Sequence, residues 1–251
     1  MDANADEYEH DVPDVMYVAC NIPGPGIDLD EFESEYSVGC SCTARCDSDR
    51  CSCTRATPNY IDGLIVDKEK PSGPIMECNS RCTCDSGCGN RVIQNGPLNC
   101  LVVREVGGKG LGLFTSKSIR KSRFICEYAG EVIGLREARR RVEANKNSTN
   151  YVLVVTEHVG DRALVTCIDP KQFGNIGRYA NHSCEPNANL VPIRVEGSVP
   201  RLCLFASRDI GIGEEITFNY AGGVNSVHNP SVTRCLCGSN NCSGYLPHNS
   251  I

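Results

Sequence analysis

The chain has 251 residues, of which 40% are hydrophobic and 22% charged, enough to bury a sizeable core and too apolar for a disordered chain. No apolar run approaches the ~20 residues of a membrane-spanning helix, and the first 20 residues hold neither Lys or Arg nor a continuous apolar stretch, which excludes a secretory signal there and makes a reducing compartment the expectation. The net charge of −6 is uneven: residues 1–44 carry 11 acids and no Lys or Arg, whereas residues 45–251 carry 25 basic and 20 acidic residues, a balance that favours a basic partner over nucleic acid.

Four segments follow in order. Residues 1–37 are acidic and punctuated by Ile22-Pro23-Gly24-Pro25-Gly26, so they are expected to be extended or disordered, with the acids lying along the basic body or facing a basic substrate. Residues 38–96 hold nine of the 18 cysteines and little apolar periodicity. Residues 99–221 hold short β-rich runs at Cys100–Val103, Phe124–Cys126, Tyr151–Val155, Ala163–Val165, Leu190–Val195, Leu202–Phe205 and Glu215–Tyr220, which predict several small sheets, and one helix over Leu135–Ala144 behind Gly134. The last stretch is short, rich in Gly, Asn and Ser, and carries three more cysteines within residues 231–247.

The nine cysteines are Cys40, Cys42, Cys46, Cys51 and Cys53, then Cys78, Cys82, Cys84 and Cys88. An odd number cannot all pair as disulfides. Zinc takes four thiolates in a closed structural site, so three zincs need twelve bonds. Six terminal thiolates and three that bridge two metals each supply that number from nine cysteines, with none left over. Separate four-cysteine sites or free thiols are the competing reading, but a segment this poor in apolar residues needs metal to stay folded. The downstream triplet Cys235, Cys237 and Cys242 is one ligand short of a closed site. Cys20, Cys100, Cys126, Cys167 and Cys203 sit in plain contexts and are expected to be small buried hydrophobes. Cys184 lies instead in a polar run of small residues beside His182, itself a possible competing ligand.

The run Asn181-His182-Ser183-Cys184, followed by Glu215-Ile216-Thr217-Phe218-Asn219-Tyr220, resembles the SET-domain protein-lysine methyltransferases. Lys109-Gly110-Leu111-Gly112 and Glu127-Tyr128-Ala129-Gly130-Glu131 match two further stretches of that family, in the right order. The nine-cysteine segment resembles its pre-SET module and the triplet its post-SET module, and this pairing points to the suppressor-of-variegation class that acts on lysine nine of histone H3. The resemblance implies a mainly β SET-domain fold of small curved sheets with a pseudoknot, flanked by a pre-SET three-zinc cluster and a post-SET zinc site. It divides the chain into an acidic segment (1–37), a pre-SET cluster (38–96), a SET domain (99–221) and a post-SET module (231–247). It also makes Cys184 the fourth ligand of the post-SET zinc. Four zincs held by 13 thiolates would lower the net charge by five, to about −11, which suits a basic histone tail.

The implied reaction moves a methyl group from S-adenosyl-L-methionine to a lysine amine. A free lysine has a pKa of about 10.4, so exposing its lone pair at neutral pH costs roughly 4 to 5 kcal/mol at about 1.36 per unit. Desolvation and the sulfonium charge both lower that pKa, so a buried base is not required. By resemblance, Tyr220 is the catalytic tyrosine and Tyr151 a second one near the cofactor. Phe218 is the position that tunes methyl number, and Phe there predicts di- or trimethylation. Lys109, Gly110 and Leu111 would meet the cofactor through backbone groups, with Tyr151, Arg178, Asn181 and His182 around it. Leu111 stands where many members have Trp, and Asn219 where Asp is usual. These departures keep open a catalytically silent histone-binding scaffold, and a non-histone lysine is a third reading. The expected setting is nuclear chromatin, with the histone H3 tail as substrate and other proteins targeting a monomer that makes no membrane or sequence-specific nucleic-acid contact.

Overall fold

The computed structural model describes residues 12–46, 51–54, 57–66, 73–145, 150–159, 162–221 and 233–247. The acids at Asp2, Asp6, Glu7, Glu9 and Asp11 lie outside the described residues. Two small sheets and two hairpins make up most of the molecule. The first sheet runs in the order Met16–Tyr17, Arg162–Gly174, Gly130–Ile133, Ile22–Pro23, with Leu153–Val159 paired to the free edge of Arg162–Gly174. The second runs Asn181–His182, Thr217–Phe218, Ala188–Arg194, Arg201–Ala206, Phe124–Tyr128, with Ile75–Met76 added to Ala188–Arg194. The hairpins are Tyr60–Ile61 with Leu64–Ile65, and Leu101–Val106 with Gly110–Thr115.

The second sheet is threaded. Asn181–His182 and Ala188–Arg194 are consecutive in the chain, yet Thr217–Phe218 lies between them and pairs parallel to both. The chain therefore passes beneath the loop of residues 183–187, which is the pseudoknot that the resemblance implied and an exception to unthreaded connections. Asn187 stitches the crossing. Its Oδ1 accepts the Thr217 N–H at 2.9 Å, and its Nδ2 donates to the Glu215 carbonyl at 2.8 Å.

The main core lies between the sheets around Leu113, Ile125, Cys126, Ile168, Leu202, Leu204, Ile216 and Phe218. Cys100, Cys126, Cys167 and Cys203 are buried as expected, but Cys20 is exposed. It lies in the short link between Met16–Tyr17 and Ile22–Pro23, at the edge of the first sheet.

Helix Leu135–Ala144 forms where its Glu, Ala and Arg content behind Gly134 placed it. Arg141 locks it to the first sheet, donating to Glu131 and Asp169 at 2.8 Å each. Besides six two-residue strands, two longer ones escaped the sequence pattern. In Gly110–Thr115 two glycines interrupt the alternation, and Gly130–Ile133 is a four-residue run buried on both faces. The predicted Ala163–Val165 strand extends to Gly174, through Asp169, Pro170 and Lys171, because both of its edges find partners and the register against Gly130–Ile133 shifts after Asp169.

Residues 12–37 of the acidic segment, extended apart from a helical turn at Leu29–Phe32, are held by backbone pairing rather than by charge. Val18 N–H donates to the Gly174 carbonyl at 3.1 Å and Gly24 N–H to Val132 at 2.8 Å. Among the described residues only one of its acids, Glu35, makes an ion pair, with Arg81. For the described acids the expectation that they run along the basic body is therefore not met. Sheet edges and one aromatic anchor hold the segment instead. Tyr36 packs on the Arg194 guanidinium, 5.2 Å from its ring centre. Arg194 is 2% exposed and donates to both Glu157 oxygens at 2.9 Å, joining the two sheets.

Breaking that pair leaves Glu157 buried without its counter-charge. Arg194→Ala is expected to cost about 3–5 kcal/mol, and an Arg194→Met, Glu157→Leu double variant much less. Urea unfolding of the zinc-loaded protein measures both.

Candidate active site and zinc centres

The nine cysteines converge into one buried cluster. Sulfur pairs lie 3.6 Å apart for Cys40–Cys46, 3.3 Å for Cys46–Cys78 and 3.7 Å for Cys53–Cys82. A disulfide needs about 2.05 Å, whereas four thiolates about 2.3 Å from one zinc lie about 3.8 Å apart. Three sets of four fit a metal: Cys40, Cys46, Cys51, Cys78; Cys40, Cys53, Cys78, Cys82; and Cys46, Cys78, Cys84, Cys88. Cys40 and Cys46 each fall in two sets and Cys78 in all three, so these are the sulfurs placed to bridge. Cys53 with Cys82 and Cys84 with Cys88 then complete two ions. Cys51 remains for the third with Cys42, which packs partly buried against the cluster. Backbone N–H groups of Cys40 and Asn79 point at Cys82 Sγ, at 3.3 and 3.2 Å, and stabilise the thiolate.

The post-SET triplet finds its partner across the fold. Cys184, Cys235, Cys237 and Cys242 place their sulfurs within 4.8 Å of one another. His182 Nε2 lies 3.5 Å from Cys184 Sγ and stands outside the four. Burial pushes its imidazole pKa down to about 4, so the ring is neutral at physiological pH. The post-SET loop reaches back over the glycine hairpin, with Leu236 Cδ1 3.2 Å from where a Cβ on Gly108 would stand.

That hairpin turns at Gly107-Gly108-Lys109, where Gly108 and Gly110 take φ of +78° and +79°, a region glycine enters without strain. Glu215 ties the hairpin down. It holds Lys109 Nζ at 2.5 Å through Oε2 and Asn181 Nδ2 at 2.8 Å through Oε1. Asn181 Nδ2 also donates to the Leu111 carbonyl at 3.1 Å. A Cβ on Gly112 would stand 2.9 Å from Glu215 Oε1 and 3.1 Å from Asn181 Nδ2, so only glycine lets these groups close.

The aromatic residues gather next to this hairpin. Phe218, 1% exposed, packs 4.9 Å from the Tyr220 ring and 5.9 Å from Tyr128. Tyr220 donates its hydroxyl to the Ala180 carbonyl at 3.1 Å. Burial, and then the neighbouring Tyr151, push its phenol pKa well up, so it stays protonated and is no base. Tyr128, not singled out from the sequence, donates to the Tyr151 carbonyl at 2.7 Å. Its place inside Glu127-Tyr128-Ala129-Gly130-Glu131 was the available signal. The Arg178 guanidinium lies 4.5 Å from the Tyr151 ring centre and 5.0 Å from that of Tyr179, and its Nε donates to the Pro170 carbonyl at 3.0 Å. Arg178 thus braces Tyr151. Asn219 accepts the Ala221 N–H at 2.9 Å. Glu215 and Asn187, which organise the approach to Tyr220, were also missed; both lie in polar runs whose partners are distant in sequence.

A threaded β fold, a three-plus-one arrangement of cysteine sites and a tyrosine cluster beside a glycine hairpin define a class. Residues 110–221 match the SET domain family and residues 3–91 the Pre-SET motif. The chain belongs to the SET-domain histone-lysine N-methyltransferases. It is 39% identical to mouse Histone-lysine N-methyltransferase SETMAR, over 94% of this chain and 81% of the relative, and 40% identical to the probable histone-lysine N-methyltransferase set-23 of Caenorhabditis briggsae, over 92% and 95%. Mouse SUV39H2 is 34% identical over 93% of this chain and 51% of its own length. The crystal structure of the human SETMAR methyltransferase domain covers 98% of this chain and 92% of its own, with a TM-score of 0.84 and 37% identity. Arabidopsis thaliana SUVH6, solved in complex with SAM, is 26% identical, with a TM-score of 0.77 over 96% of this chain and 52% of its own. KRYPTONITE, solved with mCHH DNA, an H3(1–15) peptide and SAH, is 27% identical, with a TM-score of 0.72 over 92% of this chain and 47% of its own.

The protein is therefore an S-adenosylmethionine-dependent lysine methyltransferase with pre-SET and post-SET zinc sites. The pre-SET segment has thiols where other domains have apolar cores. Chelation is expected to unfold residues 38–91 while the SET core keeps its amide protection, as hydrogen exchange read by mass spectrometry will reveal. Gly112→Ala is expected to weaken S-adenosylmethionine binding about tenfold, near 1.4 kcal/mol by calorimetry, with little change in Tm.

Proposed function

We propose that the enzyme methylates lysine nine of the histone H3 tail and carries the product to di- or trimethyl-lysine. The observation that carries methyl transfer to a lysine and the methyl number is the aromatic cluster of Tyr220, Tyr151, Tyr128 and Phe218 beside the glycine hairpin, while the choice of lysine nine rests on the resemblance to the suppressor-of-variegation class. In the proposed roles, the Tyr220 hydroxyl, kept protonated and tied to Ala180, orients the amine. Tyr151, braced by Arg178 and held by Tyr128, forms the opposite wall. Phe218 adds no hydroxyl, and so no bound water, which leaves room for an amine that already carries methyl groups. The sulfonium of S-adenosylmethionine supplies the methyl group. Lys109, Gly110, Leu111, Asn181 and His182 line its site, with Glu215 fixing Lys109 and Asn181. The reaction is an in-line displacement, for which holding the two reactants in position is the main catalytic task. The cage lowers the lysine pKa by removing water from around the amine.

A histone lysine as substrate is supported by the relatives' names, and histone H3 by the H3(1–15) peptide in the KRYPTONITE complex. The acidic balance of the chain suits a basic tail. The proposed setting is nuclear chromatin, reached by a monomer with the help of other proteins.

Mass spectrometry of H3 tail peptides, incubated with zinc-loaded protein and S-adenosylmethionine, tests the proposal. Di- or trimethylation is expected with wild type and is lost with Tyr220→Phe or with arginine at lysine nine. Methylation of the arginine peptide would move the target to another lysine, and a product stopping at monomethyl-lysine would overturn the reading of Phe218. A folded protein that fails to bind the cofactor would be a scaffold.

A further inference from the structure

His182 stands between the post-SET cysteines and Tyr220. The Tyr220 backbone N–H points at His182 Nδ1 from 3.3 Å. A backbone amide can only donate, so Nδ1 is the bare nitrogen of the ring and the ring proton resides on Nε2. Nε2 in turn lies 3.5 Å from Cys184 Sγ, one of the four post-SET sulfurs. A zinc-bound Cys184 is a thiolate, which accepts. The same sulfur receives the Ser243 N–H at 3.4 Å and lies 3.4 Å from the Ser243 hydroxyl. The ring is 6% exposed and its centre is 5.3 Å from that of Tyr220, so packing holds this orientation.

The backbone prevents the ring from settling elsewhere. Asn181–His182 pairs with Thr217–Phe218, His182 opposite Phe218, and the Ser183 N–H donates to the Phe218 carbonyl at 3.2 Å. Both ends of the link therefore belong to the threaded crossing.

We propose that His182 is a positioning residue: its Nε2–H tautomer joins the Cys184 thiolate to the main chain of Tyr220, so that one ring couples zinc occupancy of the post-SET site to the placement of the proposed catalytic tyrosine. The proposal rests on the reading of Tyr220 given above. It explains why the post-SET ligand from the SET body is Cys184, two residues from a side chain that touches Tyr220. It also makes closure of the zinc loop over Gly108 and alignment of Tyr220 parts of one event.

Two measurements on the full zinc-loaded chain test this. Long-range nitrogen–proton NMR of wild type, which needs no variant, is expected to find His182 as the Nε2–H tautomer; the Nδ1–H tautomer would overturn the proposal. Native mass spectrometry during a chelator challenge then follows loss of the fourth zinc. His182→Leu is expected to release it at least tenfold faster than wild type, because outer partners of metal ligands typically contribute 10–100-fold to affinity. His182→Gln, whose amide N–H reaches the thiolate, is expected to restore most of the retention while kcat stays at least tenfold down and KM for S-adenosylmethionine changes less. Equal zinc release from wild type and the Leu variant would refute the link. If Tyr220→Phe keeps full activity, the catalytic reading of Tyr220 fails by itself, and the tautomer and zinc-release results still decide whether the ring joins the two sites.

Discussion

Thr217–Phe218 is only two residues long, but it hydrogen-bonds along both edges beneath a loop that has already formed its own strands. Buried backbone groups must find partners, and here the partners on one side come from Asn181–His182, on the other from Ala188–Arg194, and at the entrance from Asn187. The constraint is geometric. Once the segment is threaded, Phe218 is forced into the core, Tyr220 emerges beside His182, and Glu215 is delivered to Asn181 and Lys109. The aromatic cluster, the glycine hairpin and the post-SET ligand Cys184 all take their positions from that crossing.

Metal extends the same logic to regions that cannot build a core. In the pre-SET segment the closely packed side chains are thiols, and three bridging sulfurs at Cys40, Cys46 and Cys78 replace the contacts that leucines make elsewhere. The N-terminal segment uses a third device. Its strands at Met16–Tyr17 and Ile22–Pro23 cover sheet edges, and Tyr36 caps the buried Arg194–Glu157 pair. Among its described acids only Glu35 finds a cation, Arg81.

Much of this was legible in local chemistry. Seven short β-rich runs and the helix over Leu135–Ala144 are visible because β-branched and apolar runs between Gly and Pro, and a Glu-, Ala- and Arg-rich stretch, are local composition signals. The zinc count follows from an odd number of cysteines and a fixed coordination number. What escaped has a common cause. Gly110–Thr115 and Gly130–Ile133 lack alternation, one through glycines at a site of close approach and the other through burial on both faces. Tyr128, Glu215 and Asn187 look ordinary in the chain, since their importance lies in partners 23, 34 and 30 positions away. Cys20 looked like its buried counterparts, and nothing in its neighbours along the chain distinguished it.

The sequence by itself determined the β-rich class, the cysteine arithmetic and, through ordered motifs, the family and its chemistry, because these depend on residue types and spacings that survive in one dimension. Tertiary structure alone decided which sulfurs of the nine lie close enough to be shared, that Arg178 braces a tyrosine, and that one imidazole touches both Cys184 and Tyr220. Those outcomes are set by a threaded strand, and threading brings together residues that no local pattern links.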